Sequence, residues 1–173
     1  VRRGGVTYAL TDLRREQFER YYLGFSNGVL WPLFHYFLET FHYDDGHYEA
    51  YLEVNRFLAG RLAALLEPAD LVWVHDYHLI PLARMLRENG VGQRIGFFLH
   101  IPFPHFEVVR ALPVHAELLR DLCRFDVVGF QTANDLNSFR DSIEYTWGRD
   151  AVRDPEYVQV EGRRVRAAVY PIG

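Results

Sequence analysis

Hydrophobic and polar positions change period repeatedly along this chain, and each change marks an element. Val6-Thr7-Tyr8-Ala9-Leu10, opened by Gly5, predicts a short strand, after which Thr11 or Asp12 offers an N-cap for a polar and aromatic helix over 14–23. From Phe25 to Tyr43 aromatics crowd together, with Trp31, Phe34, Tyr36, Phe37 and Phe41 punctuated by Gly28 and Pro32. Part of that stretch reads as helix packed in a core and part as the wall of a site. Beyond the turn signal Asp44-Asp45-Gly46, Tyr51, Val54, Leu58, Leu62 and Leu65 recur at spacings of three and four, which predicts an amphipathic helix over 47–66, ended near Pro68.

The next runs are of a different kind. Leu71-Val72-Trp73-Val74 is short and continuously apolar, the pattern of a parallel strand buried on both faces. A helix over 81–89 follows, with Gly90 at its end, then a strand over 94–99 and a strand over 126–130. Two short helices over 106–112 and 113–124 separate those strands, and a longer one over 133–147 follows them. Residues 157–160 and 164–170, joined by Glu161-Gly162-Arg163, read as a hairpin or two strands. Buried strands alternating with helices predict an α/β fold: a Rossmann-like, doubly wound parallel sheet with right-handed crossovers, in one domain over 1–173. Each buried strand runs at its carboxyl end into polar groups: His75-Asp76-Tyr77-His78, then His100, then Gln131-Thr132. Ligands of open α/β sheets bind at that edge.

Composition narrows the chemistry. The 173 residues carry 19 basic side chains, all arginine, against 23 acidic ones, for a formal net charge of -4. Without lysine, neither a P-loop nor a Schiff base can be built in this segment. The one cysteine, Cys123, excludes an intrachain disulfide and any multi-cysteine zinc site, and suits a reducing compartment such as the cytoplasm. Scattered arginines in an acidic total argue against a nucleic-acid partner, and no apolar run approaches the roughly 18 to 20 residues of a bilayer span. A glycine fingerprint for a dinucleotide is missing, so no cofactor is expected. The sequence opens at Val1, and a longer parent chain is the expectation.

Several residues could carry chemistry. His75, Asp76 and His78 invite a metal reading, but on a strand entering a turn His75 and Asp76 point to opposite sides. Capping of the strand end is the plainer alternative, and a third is polar binding, since a carboxylate there can accept two hydroxyls of a sugar at once. His100, stiffened by Pro102 and Pro104, is either a satisfied structural imidazole or a group that donates to a substrate hydroxyl. Tyr21, Tyr22 and Trp31 read first as core aromatics, although Trp31 beside Pro32 could instead present a ring face to a sugar. Cys123 reads as a packing residue.

As a set, these segments resemble a known family. Tyr21-Tyr22-Leu23-Gly24-Phe25-Ser26-Asn27-Gly28-Val29-Leu30-Trp31-Pro32, Val72-Trp73-Val74-His75-Asp76-Tyr77-His78, Arg94-Ile95-Gly96-Phe97-Phe98-Leu99-His100-Ile101-Pro102-Phe103-Pro104 and Gly129-Phe130-Gln131-Thr132-Ala133-Asn134-Asp135 are similar to the trehalose-6-phosphate synthases. That resemblance implies a retaining glycosyltransferase of the two-domain GT-B type, which moves glucose from UDP-glucose to glucose 6-phosphate and releases UDP. By motif position it implies Tyr22 near the acceptor phosphate, Asp76 on the acceptor hydroxyls, and Trp31 as the wall orienting that ring. It also implies His100 and Ile101 as the floor under the transferred glucose, and no metal. Family members extend further at both ends, with a first strand and a glycine-rich loop before this segment and a nucleotide-binding domain after it. The segment alone is therefore expected to be the acceptor-side part of a site, with no useful turnover of its own; a homo-oligomer stays open. Rival readings are a glucosylglycerol-phosphate synthase using glycerol 3-phosphate, a noncatalytic sugar-phosphate-binding subunit, and a hydrolase holding a metal on His75, Asp76, His78 and His100.

Overall fold

The computed structural model describes residues 1–172, without the side chain of Arg2. Its amino-terminal strand differs from the sequence expectation: β1 (Arg2–Arg3) and β2 (Val6–Thr7) pair as a small antiparallel hairpin. Gly4 and Gly5, at φ 56° and 81°, supply the tight turn, because only a residue without Cβ takes both positions at no steric cost.

One continuous helical rod follows. It starts as α1 (Arg15–Gln17), winds as a π-helix over Phe18–Leu30, and closes as α2 (Trp31–Phe34). Gly28 and Pro32 do not interrupt it; Pro32, which has no amide proton, falls at the start of α2, where the bonding pattern changes. The π winding is visible in its bonds: the Trp31 amide donates to the Ser26 carbonyl, and the Ser26 hydroxyl donates back to the Tyr21 carbonyl at 2.9 Å. Next, α3 (Asp45–Ala63) is capped by the Asp44 carboxylate, which accepts the His47 amide at 2.9 Å.

The remaining elements alternate: β3 (Leu71–His75), α4 (Leu82–Glu88), β4 (Arg94–Phe98), α5 (Phe106–Val109), α6 (His115–Leu122), β5 (Val127–Phe130), α7 (Ala133–Trp147), β6 (Tyr157–Val160) and β7 (Arg163–Val169). They build a five-stranded sheet in the order β3-β4-β5-β7-β6, parallel except where β6 runs antiparallel to β7. Val72, Val74, Ile95, Phe97, Val128 and Phe130 share the main core with residues of α3, α4, α6 and α7. Cys123 is buried there, and burial pushes its thiol up to about 12, which leaves it protonated and inert. No helix among the described residues is long and apolar enough to cross a membrane.

β3 departs from the expectation of burial on both faces. Val72 and Val74 are buried, whereas Leu71, Trp73 and His75 are exposed. Among the described strands β3 pairs with β4 alone, and its Trp73 indole covers Gly96 of β4, where a Cβ would come within 2.2 Å of the ring. At the amino end of the strands, Asp126 accepts the Ile95 amide at 2.7 Å and pairs with Arg87 and Arg163 at 2.9 and 3.3 Å. With that end locked by ion pairs, the carboxyl end is where the chain leaves the sheet with free polar groups.

Candidate active site

Asp76 is the first residue beyond β3, and its backbone is held at φ 75° and ψ 165°. That region is essentially reserved for glycine and costs a residue with Cβ on the order of 1–3 kcal/mol. Four hydrogen bonds hold the residue there. Its amide donates to the Phe98 carbonyl at 2.8 Å, and its carbonyl accepts the Leu79 amide at 3.1 Å. Its Oδ1 accepts the amides of Tyr77 and His100 at 3.1 and 3.3 Å. One carboxylate oxygen therefore organises two strand ends, and among the described residues Oδ2 has no hydrogen-bond partner.

The turn after Asp76 is held from below by polar groups buried in the core. The Tyr51 hydroxyl donates to the Tyr77 carbonyl at 2.6 Å and accepts the Ile80 amide at 3.3 Å. Asn55 donates to the His78 carbonyl at 3.0 Å, and the Tyr21 hydroxyl donates to that same carbonyl at 3.2 Å. Tyr77 in turn donates its hydroxyl to Asn27 Oδ1 at 2.7 Å; burial, with the Asp76 charge nearby, pushes this phenol up to about 12, so it stays a donor. The π-helical rod and the β3 edge are thus bonded to each other at the site.

The aromatics divide in two. Tyr21 is buried at 6% exposure, as the core reading expects, but Tyr22 and Trp31 are 37% and 40% exposed and are available to a ligand. Tyr22 sits in a stack between Phe18 (5.1 Å, 18°) and His78 (5.2 Å, 11°). Trp31 packs against His35 with the rings tilted by 33° at 4.3 Å, and His35 Nδ1 lies 2.7 Å from the Trp31 carbonyl, so that the imidazole is fixed as a backing for the indole. The π winding matters here. In an α-helix the nine residues from Tyr22 to Trp31 make about two and a half turns and face opposite ways; with bonds to the fifth residue they make close to two turns and share a side.

His78 is mostly buried between Tyr22 and Tyr77, and its Nε2 has no hydrogen-bond partner. Burial holds this imidazole below its ordinary value of 6.5, against a smaller upward pull from Asp76. The unfolded chain then binds the proton more readily, so this contribution to stability is complete above the ordinary value and is lost as pH falls through it toward the folded one. As pH falls through 6.5 the unfolding midpoint is expected to fall, and the fall is expected to flatten in His78→Phe. An identical pH slope in the two proteins would contradict this assignment.

His100 stands across from Asp76 at the end of β4. Its amide goes to Asp76 Oδ1, its carbonyl accepts Gln131 Nε2 at 3.0 Å, and its Nε2 lies 2.9 Å from His75 Nδ1. Ile101 beside it is half-buried and packs on the core. The loop that follows is anchored by Asp135, whose Oδ1 accepts the Phe103 amide at 3.0 Å while Oδ2 completes a capping box with Thr132 at the start of α7. The structure thus ties Asp76 to His100 directly, and Tyr22 to the turn after Asp76 through its stack on His78. Trp31 joins them through the helix that also carries Tyr22 and Asn27. Among the described residues no three His, Cys, Asp or Glu side chains converge as a metal site; His75 bonds His100 instead.

Asn27, Tyr51, Asn55 and Asp135 escape a reading based on sequence pattern. Only Asp135 left a signal, the Thr-x-x-Asp box directly after an apolar strand.

This geometry can be compared with known proteins. The family model described as Glycosyltransferase family 20 matches residues 4–173. The chain belongs to glycosyltransferase family 20. Among similar members, the trehalose-6-phosphate synthase of Klebsiella pneumoniae is 48% identical over the whole of this chain, and that of Cronobacter sakazakii 47%. The chain spans 36% of the length of these two relatives. Among solved structures, the UDP-forming α,α-trehalose-phosphate synthase of Burkholderia vietnamiensis superposes with a TM-score of 0.95 at 48% identity, over all of this chain and 37% of its own. The Burkholderia xenovorans enzyme in complex with glucose-6-phosphate gives 0.96 at 50%, with 38% of its chain covered. The Escherichia coli protein bound with UDP-2-fluoro glucose gives 0.93 at 43%, again with 38% covered. The five-stranded, mostly parallel sheet flanked by helices is therefore part of a GT-B fold.

Proposed function

We propose that this chain supplies the acceptor side of a retaining glucosyltransferase that joins glucose from UDP-glucose to glucose 6-phosphate, giving α,α-trehalose 6-phosphate and UDP. The observation that carries the reading is Asp76: a carboxylate in a strained conformation at the carboxyl edge of the sheet, one oxygen tied to two backbone amides, the other without a hydrogen-bond partner among the described residues. Such a group can accept two hydroxyls of a pyranose, and strain of this kind persists where the surroundings over-determine it. Tyr22 stands at the phosphate end of the acceptor, Trp31 forms the wall of its ring, and His100 with Ile101 forms the floor under the transferred glucose. The structures of relatives named for glucose-6-phosphate and UDP-2-fluoro glucose support this choice of substrates.

In this reading the leaving phosphate and the incoming hydroxyl occupy the same face of the sugar, and no protein nucleophile takes part. Two carboxylates about 5 to 5.5 Å apart would suit a retaining glycosidase; among the described residues Asp76 alone offers a carboxylate at this edge, and in this reading positioning with electrostatics supplies the rate. A cytoplasmic location goes with the reading, supported by a sole cysteine that is a free thiol.

Nucleotide release by the full-length polypeptide that carries this segment tests the proposal, with UDP-glucose as donor and either glucose 6-phosphate or glycerol 3-phosphate as acceptor. Release that requires glucose 6-phosphate is the expected result. Release only with glycerol 3-phosphate would move the assignment to a glucosylglycerol-phosphate synthase, and none with either would leave a sugar-phosphate-binding subunit as the reading to pursue. The segment alone is expected to release no UDP.

A further inference from the structure

Two imidazoles meet at the carboxyl edge: His75 Nδ1 lies 2.9 Å from His100 Nε2, with the rings stacked at 5.1 Å and 28°. We infer that His75 is a positioning residue that fixes the orientation of the His100 imidazole and couples its tautomer to its own. This inference rests on the reading of His100 as part of the floor under the transferred glucose.

A contact between two neutral imidazoles holds one proton. One nitrogen donates it and the other accepts it. If His75 Nδ1 carries the proton, His100 is protonated at its other nitrogen, Nδ1, and offers a ligand a donor. If His100 Nε2 carries it, His100 Nδ1 is bare and offers an acceptor. The contact therefore holds the ring in one orientation and couples the two tautomers, so that the role of the outward nitrogen follows from which ring donates. Without His75 that coupling is lost, and the ring is free to turn. This is the logic by which the hydrogen bond at one imidazole nitrogen sets the chemistry of the other.

The rest of the residue is already fixed, so the ring torsions are what His75 adds. The amide of His100 is held by Asp76 Oδ1 at 3.3 Å and its carbonyl by Gln131 at 3.0 Å. Phe98 packs edge-on against the His100 ring at 4.7 Å. His75 is itself steadied by the edge of Trp73 at 5.9 Å, the same indole that lies over Gly96. Period-two alternation sends His75 to the face opposite Val74, where its ring lies against Trp73 and His100.

The test uses the full-length polypeptide and three variants. His75 is exposed, so His75→Leu and His75→Asn should fold, and equal unfolding midpoints would verify that. An asparagine amide can reach the place of Nδ1 and donate or accept there; leucine can do neither. Loss of a group that orients a functional imidazole is expected to lower kcat about 10-fold in His75→Leu, with KM for the acceptor changed less than about 2-fold. His75→Asn is expected to stay within about 3-fold of the parent, because the hydrogen bond is restored. Equal losses in the leucine and asparagine variants, or no loss in leucine while His100→Ala is impaired, would overturn the inference. Full turnover in His100→Ala would instead remove the reading on which it rests, a distinct result.

Discussion

Asparagine at position 76 is expected to lower kcat/KM for the acceptor by about 100- to 1,000-fold in the full-length polypeptide, while the unfolding midpoint stays close to the parent's. The two halves of that expectation come from different oxygens. Oδ1 accepts the Tyr77 and His100 amides, and an asparagine carbonyl oxygen can take over both bonds. Asparagine also has the size and shape of aspartate, so the bonds that hold the backbone at φ 75° and ψ 165° are kept. The carboxylate charge and the second acceptor oxygen are what disappear. Each hydrogen bond to a charged group is worth roughly 1.5–3 kcal/mol, and two of them to sugar hydroxyls account for the loss. Steady-state kinetics with varied acceptor and a thermal melt measure the two halves. A variant within about 3-fold of the parent would mean that Asp76 is a strand-end cap and no ligand of the sugar. A variant that melts early would mean that charge on Oδ1 is needed to hold the turn.

How far sequence pattern reached depended on how local the cause was. β4, β5 and α7 were legible almost to the residue, because an apolar run and a capping box are local signals. Asp76, His100 and Gln131 were legible as an edge for a topological reason: a parallel strand must release the chain at its carboxyl end, and polar groups placed there have nothing else to cap. The helical rod was legible in part: helix was expected over 14–23 and within 25–43, but not its continuity or its π winding. A template of 3.6 residues per turn sets Tyr22 and Trp31 on opposite faces, and only the π winding puts them on one. β3 was legible as a strand from its apolar run, but a run without alternation does not tell its two faces apart, and among the described residues only the face with Val72 and Val74 is covered. Tyr51, Asn55 and Asp135 act on backbone groups 26, 23 and 32 residues away, so no window along the chain contains both partners. His75 was read against Asp76 and a metal, but its partner is an imidazole 25 residues on, in the neighbouring strand.

The largest expected effect on stability lies away from the site, in the ion pair that joins α4 to α6. Arg84 Nε and Nη2 reach the two oxygens of Asp121 at 2.6 and 3.3 Å, and Asp121 is only 2% exposed. Burial pushes the Asp121 carboxyl up, and the guanidinium is the chief group that opposes the shift. Replacing Arg84 with methionine keeps most of the packing and strands that carboxylate, which is expected to cost about 3–5 kcal/mol at neutral pH. The pH dependence fixes the cause. With its partner gone, Asp121 has a folded pKa raised further above its unfolded one, so the folded state binds the proton preferentially. Stability in Arg84→Met should then be greatest below the ordinary carboxylate value of 3.8 and should decline as pH rises through the folded value. In the parent, where burial also raises the Asp121 carboxyl but Arg84 opposes it, the same trend should be weaker. Removing both charges in Arg84→Met with Asp121→Leu is expected to recover most of the deficit, since a matched apolar pair is often neutral relative to a buried ion pair. Denaturant unfolding of the parent, the two single variants and the double variant provides the full cycle. If Arg84→Met loses less than about 1 kcal/mol, or the double variant is no better than the single one, the pair is not what holds α4 against α6.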